Sequence, residues 1–483
     1  MGYSQFLNML PEAILVLMLI LVFFADFCLH KSERKLEVVG RMTMALLLCQ
    51  TVMLTTVGPA EAFGGMYAAT KAAQVMKMIL TFGTFIVVVM AQPWLEREAS
   101  KYAGEFHLLV LSTLLGMYIM TSSGNFLLFF LGLETASVPM ACLVAFDKWK
   151  KQSAEGAAKY ILVATFSSGV MLYGLSFVYG SVGTLYFDDV MQRIAYFTNY
   201  KSQMPMLIMG LVFFFSGLGF KLSLVPFHFW TADTYQGAPT PVTGYLSVVS
   251  KGAAAFATLV ILAKAFAPLT DYWEYMLYIV IVLSITVANL FAIRQTELKR
   301  FMAFSSISQA GYIMLAVIGA SQMGMASLMY YVLVYVVANM AVFTVILTVE
   351  QNNGGTTQMS SYDGLYQTNP KLAFLMTLAL FSLAGIPPFA GMFFKFFVFM
   401  AAAQQGSFWA YFVVFIALIN TVVSLYYYLL IVKAMYIKQT DTPLPAFRTE
   451  DSTRIALALC TAGIALFGIC SCIYDYLFAA SAL

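Results

Sequence analysis

Charge is scarce in this chain. Only 10% of its 483 residues are Asp, Glu, Lys or Arg, whereas a soluble globular domain carries about 25%. That shortage excludes an ordinary water-soluble fold. With 61% hydrophobic residues and a mean hydropathy of +0.83, the chain reads as an integral membrane protein. Histidine is rarer still: His30, His107 and His228 lie far apart, and no pair stands at haem or zinc spacing. The six cysteines, Cys28, Cys49, Cys142, Cys460, Cys470 and Cys472, all sit in or beside apolar segments. None forms a CxxC pair, and Cys470-Ser-Cys472 alone has no metal-ligand spacing. These patterns argue against an iron–sulfur cluster, a haem or a structural metal here, so any electrons involved travel elsewhere. The net charge of +3 and the lack of a long basic run argue against a nucleic-acid partner. No basic n-region precedes the first apolar run and no small-residue cleavage site follows it. Gly2 is a poor myristoylation site, because Phe6 stands where Ser or Thr is expected.

What is present is a succession of apolar runs of about 20 residues, each long enough to span a bilayer as a helix. Fourteen are expected, centred near residues 20, 48, 82, 113, 135, 168, 217, 252, 282, 310, 336, 387, 421 and 465. The longest polar connections, roughly 181–203, 350–370 and 438–453, leave no room for a soluble domain. Lys and Arg fall mostly in odd-numbered connections, roughly eighteen against five in the even ones (Lys71, Lys77, Arg193, Lys201 and Lys264). The positive-inside rule then places odd connections inside and both termini outside.

Two runs are too broken to be single straight helices. One holds Lys221-Leu222-Ser223-Leu224-Val225-Pro226-Phe227-His228, the other Ala384-Gly385-Ile386-Pro387-Pro388-Phe389-Ala390-Gly391. Proline removes a backbone donor and clashes with the carbonyl four residues earlier, which frees carbonyls such as those of Leu222 and Leu383. Irregular backbone at membrane depth is tolerated only inside protein or along a wet cavity. The two breaks lie five helices apart and so run in opposite directions, as in inverted repeats. The expected fold is therefore all-α and polytopic: helices four to eight repeat, inverted, as nine to thirteen, each repeat containing a broken helix. The corresponding divisions are 1–105 (three N-terminal helices), 106–270 (first repeat), 271–438 (second repeat) and 439–483 (C-terminal helix).

Lys221, Lys251 and Lys395, with Glu134, lie deep within apolar runs. A charge at the bilayer centre costs about 2.5–3.5 kcal/mol even on insertion scales, and such residues usually mark ion pathways or proton relays. The bland alternatives are snorkelling lysines and a protonated Glu in a helix–helix hydrogen bond. Lys251 argues best against snorkelling, with about a dozen mostly apolar or small residues on either side. Lys264 is at a helix end and fits snorkelling, while Glu12 and Asp26 read as interfacial. Desolvation disfavours an ammonium charge and a nearby carboxylate favours it, so proximity of Glu134 to Lys221 would switch protonation. Lys251 would serve as a central relay and Lys395 as the last group before the exit. His228, after the proline break, titrates in the neutral range and could join the relay, or simply bond a freed carbonyl.

The stretches Phe220-Lys221-Leu222-Ser223-Leu224-Val225-Pro226-Phe227-His228-Phe229-Trp230, Tyr235-Gln236-Gly237-Ala238-Pro239-Thr240-Pro241-Val242 and Ser250-Lys251 resemble the antiporter-like subunit N family of bacterial NADH:quinone oxidoreductase, respiratory complex I. Asp233, Ser305-Ser306-Ile307-Ser308-Gln309-Ala310-Gly311-Tyr312 and Gly385-Ile386-Pro387-Pro388 before Lys395 support the likeness, while Ala232 departs from a usual proline. The resemblance spans about residues 120–400. It implies that Glu134, Lys221, Lys251 and Lys395 form a hydrophilic axis for proton export. It also implies NADH oxidation and quinone reduction, with FMN and iron–sulfur clusters, in partner subunits, and contact with paralogous antiporter-like subunits in a bacterial inner membrane. No cofactor is expected in this chain. A multi-subunit cation/proton antiporter would use nearly the same four residues and is the alternative; a passive scaffold would not need lysines at membrane depth.

The charge asymmetry makes a first prediction. A cysteine placed at Trp149, beside Lys148, Lys150 and Lys151, will resist a membrane-impermeant thiol reagent added outside intact cells and react in inverted vesicles. Ready labelling from outside would reverse the assigned orientation.

Overall fold

The computed structural model describes residues 3–32, 34–198, 204–440 and 443–482; Lys201, counted above among the even connections, lies outside them. Apolar length dictates helices, and the chain forms them in succession. They begin with α1 (Leu10–Cys28), α2 (Lys35–Thr56), α3 (Lys71–Glu98), α4 (Ala103–Thr121), α5 (Phe126–Val144) and α6 (Lys151–Val182). A short amphipathic helix, α7 (Phe187–Thr198), occupies part of the connection read above as a polar loop. The first broken crossing is α8 (Met204–Leu222) with α9 (Phe229–Gly237). Then come α10 (Thr240–Tyr245), a π-helical turn over Leu246–Ser250, α11 (Lys251–Lys264), α12 (Thr270–Ile293), α13 (Leu298–Leu315) and α14 (Gln322–Asn352). After the single turn α15 (Leu365–Thr368), α16 (Pro370–Ala384) and α17 (Ala390–Ala403) make the second broken crossing. The chain continues through α18 (Phe408–Tyr436), α19 (Asp451–Ile469) and α20 (Cys472–Ala480). A small antiparallel hairpin, β1 (Ala60–Ala62) paired with β2 (Tyr67–Ala69), joins α2 to α3.

Among the described residues, twelve helical stretches are long and apolar enough to cross a membrane. The 18-residue α13, about 27 Å long at 1.5 Å per residue, and the α16–α17 pair complete fourteen crossings. Their alternation is visible in the tertiary structure. One cavity is lined from the second, fourth, sixth and eighth connections (Gly64, Gly124, Asp188, Lys264). Another is lined from the third, fifth, seventh and ninth (Trp94, Asp147, Gln236, Glu297). Even and odd connections therefore gather at opposite ends of the bundle. Side-chain caps start several helices: Thr70 accepts from the Ala73 amide, Asn125 from Leu127, Glu297 from Arg300, Ser321 from Gly324 and Ser407 from Ala410, which satisfies donors that an abrupt start leaves orphaned.

The centre of the bundle is α3, the α10–α11 run and α14, buried almost all round. The other helices present apolar faces outward, such as Leu131 and Val138 on α5, Phe166 on α6 and Phe415 and Val422 on α18. Neighbouring helices pack in pairs: α4 lies on α5, α12 on α13, α6 on α8 and α14 on α16.

The breaks are built tightly. Ser223, at φ 60°, ends α8, and the Val225 amide freed beyond it donates to Ser284 Oγ on α12 at 2.9 Å. Gly385, at φ +88°, ends α16. Gly391 opens α17 so close to α16 that an added Cβ would lie 1.5 Å from the Ser382 carbonyl oxygen; only glycine fits there.

One sequence expectation needs correction. Lys77 is not in a connection, and Glu12, near the start of the first helix as expected, is not exposed. Both are buried, Glu12 in the first turn of α1 and Lys77 on α3, and they pair at 2.6 Å. Tyr67 of β2 closes the group, its hydroxyl donating to Glu12 at 2.9 Å and accepting from Lys77 at 3.1 Å. The hydropathy of a run carries no information about such a partner, because Glu12 and Lys77 are 65 residues apart. Breaking a buried pair on one side leaves an unpaired charge, at about 3–5 kcal/mol, whereas neutral replacement of both partners is often tolerated. Lys77→Met alone should therefore lower the thermal midpoint of the detergent-solubilised protein below that of the Glu12→Gln/Lys77→Met double variant. The opposite order would show that the pair carries no such penalty.

Candidate functional site

Lys221, Lys251 and Lys395 are 4%, 2% and 3% exposed, which rules out snorkelling for all three. Each ammonium is met by a neutral oxygen from another helix or from across a break. Lys221, at the end of α8, donates to Ser137 Oγ of α5 at 2.9 Å and to the Tyr160 hydroxyl of α6 at 3.5 Å. Lys251, directly after the π-turn, donates to Ser306 Oγ of α13 at 2.7 Å and stands 5.5 Å from the Tyr235 ring centroid. Lys395, on α17, donates to the Ala384 carbonyl at 2.9 Å and lies 5.0 Å from the Tyr312 ring centroid.

That last bond answers the expectation about freed carbonyls. Where α16 stops, Ala384 offers its oxygen to Lys395, and Leu383 accepts from Gln309 Nε2 at 3.3 Å. The irregular backbone is thus the receptor for the buried charge.

Glu134 does not form a direct ion pair with Lys221. It is half-buried on α5 and accepts from Ser168 of α6. Ser137, one helical turn further along the same face, makes the contact with Lys221. His228 is buried at the residue before α9, where its side chain makes no capping bond, its ring 4.5 Å from that of Phe229. No hydrogen bond joins it to the four other groups among the described residues.

Helix α13 links the second half of the arrangement. Ser306, Gln309 and Tyr312 recur every three residues along it. Ser306 touches Lys251 and the Tyr235 hydroxyl (3.2 Å), Gln309 bonds the Tyr428 hydroxyl (3.3 Å) and Tyr331, and Tyr312 underlies Lys395. Ser305 joins Tyr428 at 2.5 Å. On the other side of Lys251, Tyr160, Trp230 and Tyr235 pack ring on ring towards Lys221.

Sequence reasoning missed a polar stripe leading to Lys251 from the odd-connection end. A cavity of about 290 Å³ there is lined by Asp147, Lys150, Glu297, Lys299 and Glu350. Thr240, the first residue of α10, donates to Glu350 of α14 at 2.5 Å. Thr243 follows on α10 and Ser247 in the π-turn before Lys251, at spacings of three, four and four. Asn339 of α14 donates to Ser247 Oγ at 2.5 Å. Ser250 Oγ and Asn339 Oδ1 are buried without a protein partner, so water is the partner open to them. The signal was present in the Thr–Ser spacing; Glu350, at the end of a long helix, looked like an ordinary boundary charge. Beside this cavity, Asp233 binds Lys159 at 2.6 Å and Arg300 at 2.5 Å, latching α9 to α6 and α13. Among the described residues no group of three or more His, Cys, Asp or Glu side chains could hold a metal ion.

This arrangement has counterparts. A family described as the transmembrane region of NADH:quinone oxidoreductase and Mrp antiporters matches residues 123–422. The NADH-quinone oxidoreductase subunit N of Phocaeicola vulgatus is 57% identical over 480 residues, 99% of each chain. That of Moorella thermoacetica is 36% identical, covering 91% of this chain and 90% of the relative. A chain of respiratory complex I from Thermus thermophilus, solved with bound aureothin, superposes with a TM-score of 0.80 at 31% identity, covering 97% of this chain and 99% of that one. A chain of the Mrp complex from Dietzia sp. DQ12-45-1b reaches 0.83 at 19% identity, covering 99% and 97%, a likeness of fold alone. Matched along nearly its whole length by subunit N relatives, this multi-pass chain belongs to the subunit N family of NADH-quinone oxidoreductases.

Proposed function

We propose that the chain translocates protons across the bacterial inner membrane as an antiporter-like subunit of an NADH:quinone oxidoreductase. The observation that carries this reading is the set of three buried lysines, each bonded to a hydroxyl or a backbone carbonyl rather than to a carboxylate, with Glu134 half-buried one helical turn from the Ser137 that meets Lys221. A hydroxyl both donates and accepts, so Ser306 and Ser137 can hand a proton on, whereas an ion pair would hold it. Electron transfer from NADH through FMN and iron–sulfur clusters to quinone belongs to partner subunits in this reading. Paralogous antiporter-like membrane subunits are the expected neighbours.

Orientation follows the charge asymmetry: the cavity at Glu350 faces the cytoplasm, and both termini face the periplasm. Protons enter by Glu350 and Thr240, pass Thr243 and the Ser247–Asn339 pair, and load Lys251. Glu134 and Lys221 supply the charge on one flank, and α13 passes the proton towards Lys395. His228 stands aside from this route. The corresponding packing of α4–α6 with α8 and of α12–α14 with α16 supports two inverted repeats over 106–270 and 271–438. Residues 1–105 flank them as three N-terminal helices and 439–483 as a C-terminal one. A cation/proton antiporter would use the same groups; the full-length 57% identity to a subunit N, against 19% to the Mrp chain, favours the oxidoreductase.

Two changes test the route. Glu350→Gln keeps an acceptor for Thr240 but cannot hold a proton, so it should lower pumping in assembled complexes. Lys251→Ala should reduce pumping further, approaching the roughly 10²-fold loss typical of removing a proton-transfer group. Normal acidification by proteoliposomes carrying either change would remove that residue from the route. Lys395→Arg keeps a cation against the Ala384 carbonyl, yet arginine is not deprotonated in proteins. Moving a charge against 100 mV requires about 2.3 kcal/mol, and a group that never releases its proton cannot contribute that step. Reconstituted complex with Lys395→Arg should oxidise NADH with little acidification of the vesicle lumen; full pumping would make Lys395 an electrostatic fixture.

A further inference from the structure

A second cavity at the odd-connection end has no part in the route above. It is a groove of about 1250 Å³ between the start of α16 and α19, larger than the roughly 300–1,000 Å³ of small-molecule pockets. Its rim is built. Asn369 donates to the Pro445 carbonyl at 3.2 Å and accepts from the Phe447 amide at 3.3 Å, pinning the segment before α19 against the start of α16.

The groove is charged at one end only; farther in, Thr461 adds a hydroxyl to the lining. Lys371, Arg448 and Arg454 line its mouth, and no acidic residue lines it anywhere. Lys371 and Arg448 form no ion pair among the described residues, and Arg454 reaches the Thr449 hydroxyl at 3.1 Å and Asp451 at 3.4 Å, both in its own segment. Beyond this mouth the lining turns apolar, with Leu372 and Leu375 on α16 facing Leu457, Ala458, Ala462 and Ala465 on α19. The alanines recur at helical spacing and leave that wall recessed. From Arg454 to Ala465 the groove runs eleven residues along α19, about 17 Å at 1.5 Å per residue. One leaflet of hydrocarbon is about half of 30 Å thick.

A basic mouth, an apolar trough and the length of one leaflet describe a bound lipid. Basic pockets between helices on the cytoplasmic side of a membrane attract anionic headgroups. We propose that this groove holds an anionic phospholipid of the adjacent leaflet, its phosphate on Lys371, Arg448 and Arg454 and an acyl chain along the alanine face of α19. The site rests on the shape and charge of the groove and is independent of the proton route. It would nonetheless brace α16, whose far end supplies the Ala384 carbonyl to Lys395.

The assembled complex can be placed in phosphatidylcholine nanodiscs doped with phosphatidylglycerol or phosphatidylcholine bearing a photoactivatable diazirine on the acyl chain. Labelling of peptides covering 372–375 and 457–465 is then read by mass spectrometry, with the 415–422 face of α18 as an internal reference. The phosphatidylglycerol probe should label the groove severalfold more than the phosphatidylcholine probe, relative to α18. Lys371→Gln/Arg448→Gln/Arg454→Gln should bring the two to the same level. Ala462→Phe, which fills the trough and keeps every charge, should reduce labelling by both. Equal labelling of the wild-type groove by the two probes, or undiminished preference in the triple variant, would overturn the proposal. Should the triple variant fail to assemble, the wild-type probe comparison and Ala462→Phe still decide.

Discussion

A polar group in hydrocarbon has no water to bond, so each must find its partner inside the protein. This constraint organises the chain. Three ammonium groups sit at membrane depth, and none is matched by a carboxylate within ion-pair distance among the described residues. They are held instead by a serine hydroxyl and a tyrosine, by a second serine, and by a backbone carbonyl. Neutral partners stabilise an ammonium less firmly than a carboxylate would. A lysine so held can lose its proton without leaving a stranded anion behind. The contrast lies in the same molecule: Lys77 meets Glu12 directly at 2.6 Å, and that pair clamps α1 and β2 to α3 away from the axis.

The broken helices follow from the same constraint. A continuous helix spends its carbonyls on its own amides and has none to offer a side chain. Ending α16 at Gly385 releases the oxygens of Leu383 and Ala384, and Gln309 and Lys395 take them. Ending α8 at Leu222 releases the Val225 amide, which Ser284 accepts. Each break is thereby satisfied by residues of a neighbouring helix or of its own continuation, so the breaks bind the bundle as well as opening it. The π-turn before Lys251 belongs with them, since such turns inside α-helices are frequent at functional sites.

Much of this was legible in the sequence because hydrophobic length and isolated charge are local properties. Twelve of the fourteen apolar runs became helices long and apolar enough to cross a membrane, with α13 and the α16–α17 pair in the other two places, and Lys221, Lys251 and Lys395 are buried as their surroundings required. The carbonyl of Leu383 was freed by the proline that follows it. What failed did so for one reason. Glu12 looked interfacial and Lys77 looked like part of a connection because each stands within two turns of a run's end, and only the other's presence keeps them in the interior. Glu350 was passed over on the same grounds. Glu134 and Lys221 invited pairing as the nearest opposite charges, but helix packing puts Ser137 at the contact.

By itself, the sequence determined the class of the protein, the number and alternation of its crossings, the places where two of them break, and the cations that cannot reach water. Those follow from hydrophobicity, proline geometry and the cost of burying charge, which act along a single segment. The tertiary structure decided the partners: Ser306 for Lys251, Ala384 for Lys395, Ser137 for Lys221, and α13 as the helix that spans the last two lysines of the row. Partnership depends on which faces of separate helices meet, and no local property of a chain records that.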